Sequence, residues 1–356
     1  LLNIKGKLLM NKNTIPSNIS NLSQLLDDGL ILCDKNSIVL SSNTIAQNFL
    51  SKKILNKNIS DFIEINEFKN LEASDLKGDL NDEFHFQIND LIKRSLIIKV
   101  KKIDNNLYAI LLLDMTLQRN LEKVRRDFVA NVSHELKSPL TSLVGFIETL
   151  LSGKVHNDLD RNKFLKIMDE EAKRMNRLID DILSLSKVET EEHITPNTTI
   201  SLIDPIQHIV TSINERDLKN SKKIILKDLR INSDVQCFIS GNTDEINQVF
   251  VNLLENAIKY GFDNTDVIVN IEQLQDHEVI IKVINKGEGI PQKYIDRLTE
   301  RFFRVDKARS RQIGGTGLGL AIVKHILIRH RAQLSINSIP DEETTFSLTF
   351  PLVDVK

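Results

Sequence analysis

Apolar residues at Leu121, Val124, Phe128, Val132, Leu136, Leu140, Leu143, Ile147 and Leu150 recur at steps of three and four, the period of one buried helical face. The pattern predicts a long helix starting at Thr116, a turn over Ser152 to Asn157, and a second helix with Phe164, Met168, Ala172, Met175, Ile179, Ile182 and Leu185 on one face. Two such helices cannot bury both apolar faces alone, whereas two copies make a four-helix bundle around one core. The pattern therefore predicts a homodimer over 116–189.

On either side the periodicity changes. Residues 1–22 are polar and asparagine-rich and read as a flexible lead. From 23 to 115, short apolar runs such as Gly29 to Cys33, Ile38 to Leu40, Ser95 to Val100 and Tyr108 to Asp114 alternate with polar turns, the pattern of an α+β domain. A polar linker over 190–200 leads into a last domain, 201–356. There a helix over 243–260 carries Ile246, Phe250, Leu253 and Ala257 on one side, ended by Gly261 in a C-cap position. A strand from Val279 to Ile284 and an apolar helix from Ala321 to Ile328 follow.

The first long helix holds the candidate chemistry. His134 lies two residues from both Val132 and Leu136, roughly 200° around the helix from either, so its imidazole points to water. A lone histidine there is equally a solvated surface residue. Its neighbours add function: Glu135 is placed to hydrogen-bond one ring nitrogen and leave the other free as a nucleophile. Lys137 offers positive charge to an incoming phosphoryl group, and Ser138 shares the face. Pro139 lacks an N–H and should bend the helix just past the histidine.

His134-Glu135-Leu136-Lys137-Ser138-Pro139-Leu140 resembles the H-box of bacterial sensor histidine kinases. Ser138 departs from the Thr/Asn of that pattern, a position the family associates with dephosphorylating the partner regulator. The kinase role of His134 therefore transfers more directly than the phosphatase role.

The C-terminal third carries matching parts. Asn252 and Asn256 sit four apart on one helix face, with Lys259 and Tyr260 a turn further. Alone this is a polar outer face. It is also a pair of amide oxygens suited to a Mg²⁺ that keeps most of its waters, with Lys259 as a charge for phosphates. Asn252 to Tyr260 resembles the N-box of the ATPase superfamily that unites histidine kinases, gyrase, a heat-shock chaperone and MutL. Related ATP hydrolases carry glutamate where this chain has Asn252, which fits transfer to a side chain instead of hydrolysis. Asn285-Lys286-Gly287-Glu288-Gly289 resembles the G1 box, with Asn285 in place of the aspartate that accepts from the adenine amino group. The asparagine can still accept, without the charge. Gly287 and Gly289 let backbone approach a nucleotide.

Gly314-Gly315-Thr316-Gly317-Leu318-Gly319 feeds a helix N-terminus, where backbone N–H groups cradle phosphates, and resembles the G2 box. Between the two, Thr299 to Lys307 resembles the F-box and the start of a lid. Phe302 and Phe303 either pin that lid or are simple core, and Arg304 is placed to reach phosphates. With four motifs in order, the chain is identified as a sensor histidine kinase, its wording similar to phosphate-regulon (PhoR-type) sensors. The resemblance implies a multidomain fold: an α+β PAS-like sensor domain, a helical hairpin forming the dimeric bundle, and a two-layer α/β GHKL-type sandwich binding ATP and Mg²⁺.

The stretch DGLILCDKNSIVLSSNTIAQNFL resembles the opening of a PAS domain, with Asn43 and Ala46 at family positions. Neither His85 nor Cys33 makes a haem or flavin signature. A ligand or membrane partner at this domain stands beside a purely dimerising domain. At 356 residues, 41% hydrophobic and net charge −2, the chain has ample core and no bulk attraction to nucleic acid or anionic lipid. Cys33 and Cys237, far apart, read as reduced structural thiols of a cytoplasmic portion. No run approaches the ~18 apolar residues of a membrane helix. The chain begins at Leu1, so membrane association through an upstream segment stands beside a soluble variant starting at Met10.

The expected mechanism is attack of His134 on the γ-phosphoryl group of Mg-ATP, with Glu135 as orienter or base, and transfer to an aspartate of a response regulator. The competing classes are an ATPase without phosphotransfer and a phosphatase-only or non-catalytic scaffold.

Overall fold

The computed structural model describes the chain except residues 1–23, 51–52, 64–83, 90–92, 105, 154, 156, 217–221, 231–236, 276, 307–314 and 354–356. The expected flexible lead, Lys307 and Gly314 lie outside the described residues, and so does the side chain of His85. The chain forms two compact units, residues 1–127 and 128–356.

In the first unit, β1 (Gly29–Asp34), β2 (Val39–Ser42), β3 (Phe84–Asn89), β4 (Lys93–Asp104) and β5 (Leu107–Asp114) form an antiparallel sheet of order β2-β1-β5-β4-β3. Alternate side chains of β5 are buried, the period-two signature of a sheet with one core face. The helix α1 (Thr44–Leu50) packs by β1. Asn43 fixes its start: its Oδ1 accepts from the Leu30 and Ala46 amides at 3.0 and 2.9 Å, and its Nδ2 donates to the Asp28 carbonyl at 2.8 Å. Ala46 and Cys33 are fully buried in this core.

The helix α2 (Thr116–Leu151) contains the division between the units, and α3 (Asp158–Glu191) begins on an Asn157 cap whose side chain accepts from the Leu159 amide at 2.9 Å. Continuous helix to Glu191 leaves a shorter connection than the predicted linker at 190–200. Of the expected stripe on α3, Leu185 is buried and Ile182 packs against the core of the C-terminal sandwich. Leu178, Leu185 and Val188 are the buried residues of α3 and join that core, while Ile179 is 41% exposed. Docking against that core adds Leu178 and Val188 to the buried face.

The sandwich consists of β6 (Thr199–Ser201), α4 (Ile203–Arg216), β7 (Ile224–Asp228), β8 (Phe238–Ser240), α5 (Thr243–Tyr260), β9 (Val267–Gln275), β10 (Glu278–Lys286), α6 (Gln292–Ile295), α7 (Gly319–Arg329), β11 (Gln333–Ile339) and β12 (Glu343–Pro351). Its main sheet runs β11-β12-β10-β9-β7, antiparallel except for the parallel β7–β9 pair, and β6 pairs with β8. The helices α4, α5 and α7 pack on the sheet around Phe250, Phe350, Ile322 and Ile326, all fully buried. This is the two-layer arrangement the sequence predicts. Cys33 and Cys237 are both free and buried. Burial, with Asp34 adding, pushes the Cys33 thiol up to about 12, so it behaves as a small apolar residue. No helix among the described residues is long and apolar enough to cross a membrane.

Candidate active site

His134 sits on the exposed side of α2 and lines a cavity of about 680 Å³ with Glu135, Lys137, Ser138, Phe302 and Arg304. Asn131, Thr141 and Ser142 complete the same helix face; their spacing from His134 marks them, although sequence reasoning passed over them. Pro139 lies inside α2 and is its one buried residue.

Glu135 differs from expectation. Its Oε2 accepts from Arg174 of α3 and from Arg304 of the sandwich, each at 3.3 Å. In this arrangement the two guanidinium groups hold the carboxylate, which does not orient the imidazole. Arg304, with only 6% of its side chain exposed, is held by this carboxylate.

Beyond Arg304 lies a second cavity, of about 450 Å³. It is lined by Asn252, Asn256, Lys259 and Tyr260 of α5, by Asn285 near the end of β10 and Gly289 just beyond it, and by Gly315, Thr316 and Gly317 before α7 and Gly319 at its first position. Eleven of the thirteen sequence-derived nucleotide residues thus meet in one cleft, counting Arg304. The two outside it act from behind. Leu318 is fully buried in the core and anchors the loop. Gly287 forms a bridge with Gly261, and a Cβ on it would lie 2.5 Å from the Tyr260 carbonyl oxygen and 3.2 Å from Asn285 Nδ2.

Local chemistry explains this convergence. The Asn242 side chain caps α5, accepting from the Asp244 and Glu245 amides at 2.9 and 3.3 Å, and the Asn242 amide donates to His330 Nε2 at 3.0 Å. The His330 Nδ1 faces the Ile326 carbonyl at 2.8 Å, which fixes a neutral imidazole with its proton on Nδ1. Burial lowers the pKa of this imidazole, in keeping with that state. At the far end, Lys222 Nζ donates to the Ile258 and Gly261 carbonyls at 3.0 and 2.9 Å. Gly261 itself has φ −70° and ψ 152°, extended and not left-handed. It is glycine because a Cβ would approach the Ala257 carbonyl to 2.8 Å. Gly289 and Gly317 do take left-handed backbone, at φ +69° and +76°.

The phenylalanines split. Phe302, itself at φ +63°, packs on Phe128 of α2 with ring centroids 5.8 Å apart, and its amide donates to the Gly317 carbonyl at 2.8 Å. Phe303 stacks against Tyr294 at 5.9 Å beneath the Arg297 guanidinium. One ring thus reaches the hairpin and the other stays in the sandwich.

Sequence reasoning missed that α3 lines the cleft. Arg177, Asp180 and Asp181 face it, and Asp181 Oδ2 accepts from Thr316 Oγ1 at 2.7 Å. No local signal shows this, because it depends on the docking of α3 against the sandwich.

Gly287→Ala is expected to lower stability by about 1–3 kcal/mol, since backbone must move, and to weaken nucleotide binding through Asn285 and Tyr260. Thermal unfolding and an ATP titration check this; an unchanged melting temperature contradicts it.

Two family patterns match the chain. The His Kinase A (phospho-acceptor) domain covers residues 124–191, and the histidine kinase-, DNA gyrase B- and HSP90-like ATPase covers residues 241–354. The chain is 34% identical to the phosphate regulon sensor protein PhoR of Pseudomonas aeruginosa over 337 residues, 93% of this chain and 74% of that protein. It belongs to the sensor histidine kinases of bacterial two-component systems, which are protein-histidine kinases. It is also 32% identical to the sensor protein kinase WalK of Staphylococcus saprophyticus over 96% of this chain, but spans only 55% of that relative. The crystal structure of the histidine kinase ThkA in complex with the response regulator protein TrrA shares the fold, with a TM-score of 0.51 over 94% of this chain and 98% of that one at 20% identity.

Proposed function

We propose that this chain phosphorylates its own His134 from Mg-ATP and passes the phosphoryl group to an aspartate of a response regulator. One observation carries the reading: Arg304 lines both the His134 cavity and the nucleotide cleft, so one guanidinium stands between acceptor and donor. An imidazole nitrogen lone pair forms the N–P bond to the γ-phosphorus as the bond to the β–γ bridging oxygen breaks. ADP leaves, and the ring proton passes to solvent. Arg304 and Lys137 offset the charge on the transferring group, and catalysis is mostly positioning. Release of Glu135 from its arginines frees its carboxylate to meet the imidazole.

The donor set suits Mg²⁺. Among the described residues no group of three or more His, Cys, Asp or Glu could hold a metal alone. The cleft instead presents the Asn252 and Asn256 amides, and Asn252 Nδ2 is buried without a partner. Exchanging amide N and O would turn an acceptor to that position. Two amide oxygens fit a cation that brings water and phosphate oxygens with it. When bound, it neutralises phosphate charge.

A homodimer through the hairpin fits the exposure of Leu121 at 62%, Val124 at 51%, Leu140 at 52% and Ile147 at 43% on the expected apolar face of α2. A PAS-like input domain fits the antiparallel order β2-β1-β5-β4-β3 and the Asn43 cap. The similarity to a phosphate regulon sensor protein supports an input tied to phosphate supply.

Incubation with γ-labelled ATP and Mg²⁺ should give acid-labile, alkali-stable label that moves to a receiver domain. Steady phosphate release without labelled protein would identify an ATPase, and a folded dimer with neither would identify a scaffold.

A further inference from the structure

Asp181 stands out because a carboxylate faces the loop that, on the proposed function, receives phosphates. Its Oδ2 accepts from Thr316 Oγ1 at 2.7 Å, and Thr316 Oγ1 in turn accepts from the Leu318 amide at 3.3 Å. The relay runs from the first turn of α7, where N–H groups lack helical acceptors and the helix dipole favours an anion. Leu318, the N-cap of α7, makes no side-chain capping bond. The anion in this arrangement is the side chain of α3.

Contacts along α3 hold Asp181 there. Ser184 Oγ donates to Gln248 Oε1 at 2.9 Å, Arg301 Nη2 pairs with Glu189 at 2.7 Å, and His325 Nδ1 meets Glu192 at 2.7 Å. Burial pushes the Asp181 carboxyl above the ordinary carboxylate range, outweighing the Thr316 hydrogen bond and the attraction of Lys259 from within the cleft. Desolvating a carboxylate in part is costly, and a second anion brought to the same loop adds repulsion.

We infer that Asp181 is an affinity-determining residue of the nucleotide site: its carboxylate occupies the phosphate loop while α3 is docked, and the phosphates of ATP must displace it. The inference rests on the proposed nucleotide reading of the cleft. Coupling is reciprocal, so whatever α3 costs the nucleotide, the nucleotide costs the docking of α3. The same carboxylate therefore ties nucleotide occupancy to release of the sandwich from the hairpin, a motion that also frees Arg304 and Glu135.

The test compares Asp181→Asn, Asp181→Ser and Asp181→Glu in the full chain, titrated with adenosine, ADP and ATP in the presence of Mg²⁺. Asparagine keeps the size and can accept from Thr316, and glutamate keeps the charge. Asp181→Asn and Asp181→Ser should bind ATP about five-fold or more tightly than the parent. The gain should rise from adenosine to ATP, and Asp181→Glu should stay near the parent. Equal gains for adenosine and ATP would indicate general loosening and overturn the inference. So would unchanged or weaker ATP binding in a parent that labels its histidine, which leaves the proposed function standing. Absence of both nucleotide binding and label in folded parent and variants would remove both.

Discussion

His134→Gln abolishes acid-labile phosphoryl labelling while ATP affinity stays within about two-fold, because nucleophile and cleft are separate sites. His134 is exposed and, among the described residues, is the one histidine lining its cavity. Glutamine is a good helix former and leaves the helical hydrogen bonds of α2 intact. The substitution removes the ring nitrogen lone pair and little else. Label and affinity should therefore part completely, unlike the joint loss expected from damage to the cleft. The measurement is autoradiography of parent and variant beside a titration with ATP. Label surviving at the parent level would place the acceptor elsewhere and break the link between this helix face and phosphoryl transfer.

The same helix shows what a linear sequence displays and what it hides. The outward placement of His134, Lys137 and Ser138 follows from the 3.6-residue period, which is local, and α2 and α5 accordingly run where periodicity puts them. The cleft was legible for a different reason. Its glycines and asparagines sit at loop and helix positions where backbone approach demands small or amide side chains, as Gly289 and Gly317 show through their left-handed backbone. The contacts of Glu135 were not legible. Arg174 and Arg304 lie 39 and 169 residues away, and only docking of α3 and the sandwich brings both to one carboxylate oxygen. The buried face of α3 was legible in part: Ile182 and Leu185 belong to the expected stripe, whereas Leu178 and Val188 join them only through long-range docking on the sandwich. Gly261 holds the expected C-cap position, and its glycine answers a steric demand beside the Ala257 carbonyl and not a left-handed backbone.

A second large effect is expected where that docking meets the start of α5. Arg329 pairs with Glu245, with Glu191 Oε2 at 2.8 Å and with the Ile194 carbonyl at 3.0 Å, and both Arg329 and Glu245 are nearly inaccessible. Burial raises the Glu245 carboxyl pKa and Arg329 pulls it back, while Glu245 Oε2 is already buried without a hydrogen-bond partner. Arg329→Ala leaves this carboxylate desolvated and unpaired, at a cost of about 3–5 kcal/mol. That corresponds to a fall in melting temperature of roughly 6–20 °C for a unit of this size. Glu245→Ala should cost less, because Arg329 keeps Glu191 and Ile194. The pH dependence tests the cause. In Arg329→Ala the folded-state pKa of Glu245 rises further above its unfolded value, so the folded state takes up a proton before the unfolded state does. Stability of the variant relative to the parent should then recover as pH falls from neutrality towards the ordinary carboxylate range. A deficit constant over that window would assign the loss to the packing of the arginine stem, whereas one that shrinks assigns it to the stranded charge, whose position in the first turn of α5 ties the helix bearing Asn252 and Asn256 to the end of α3.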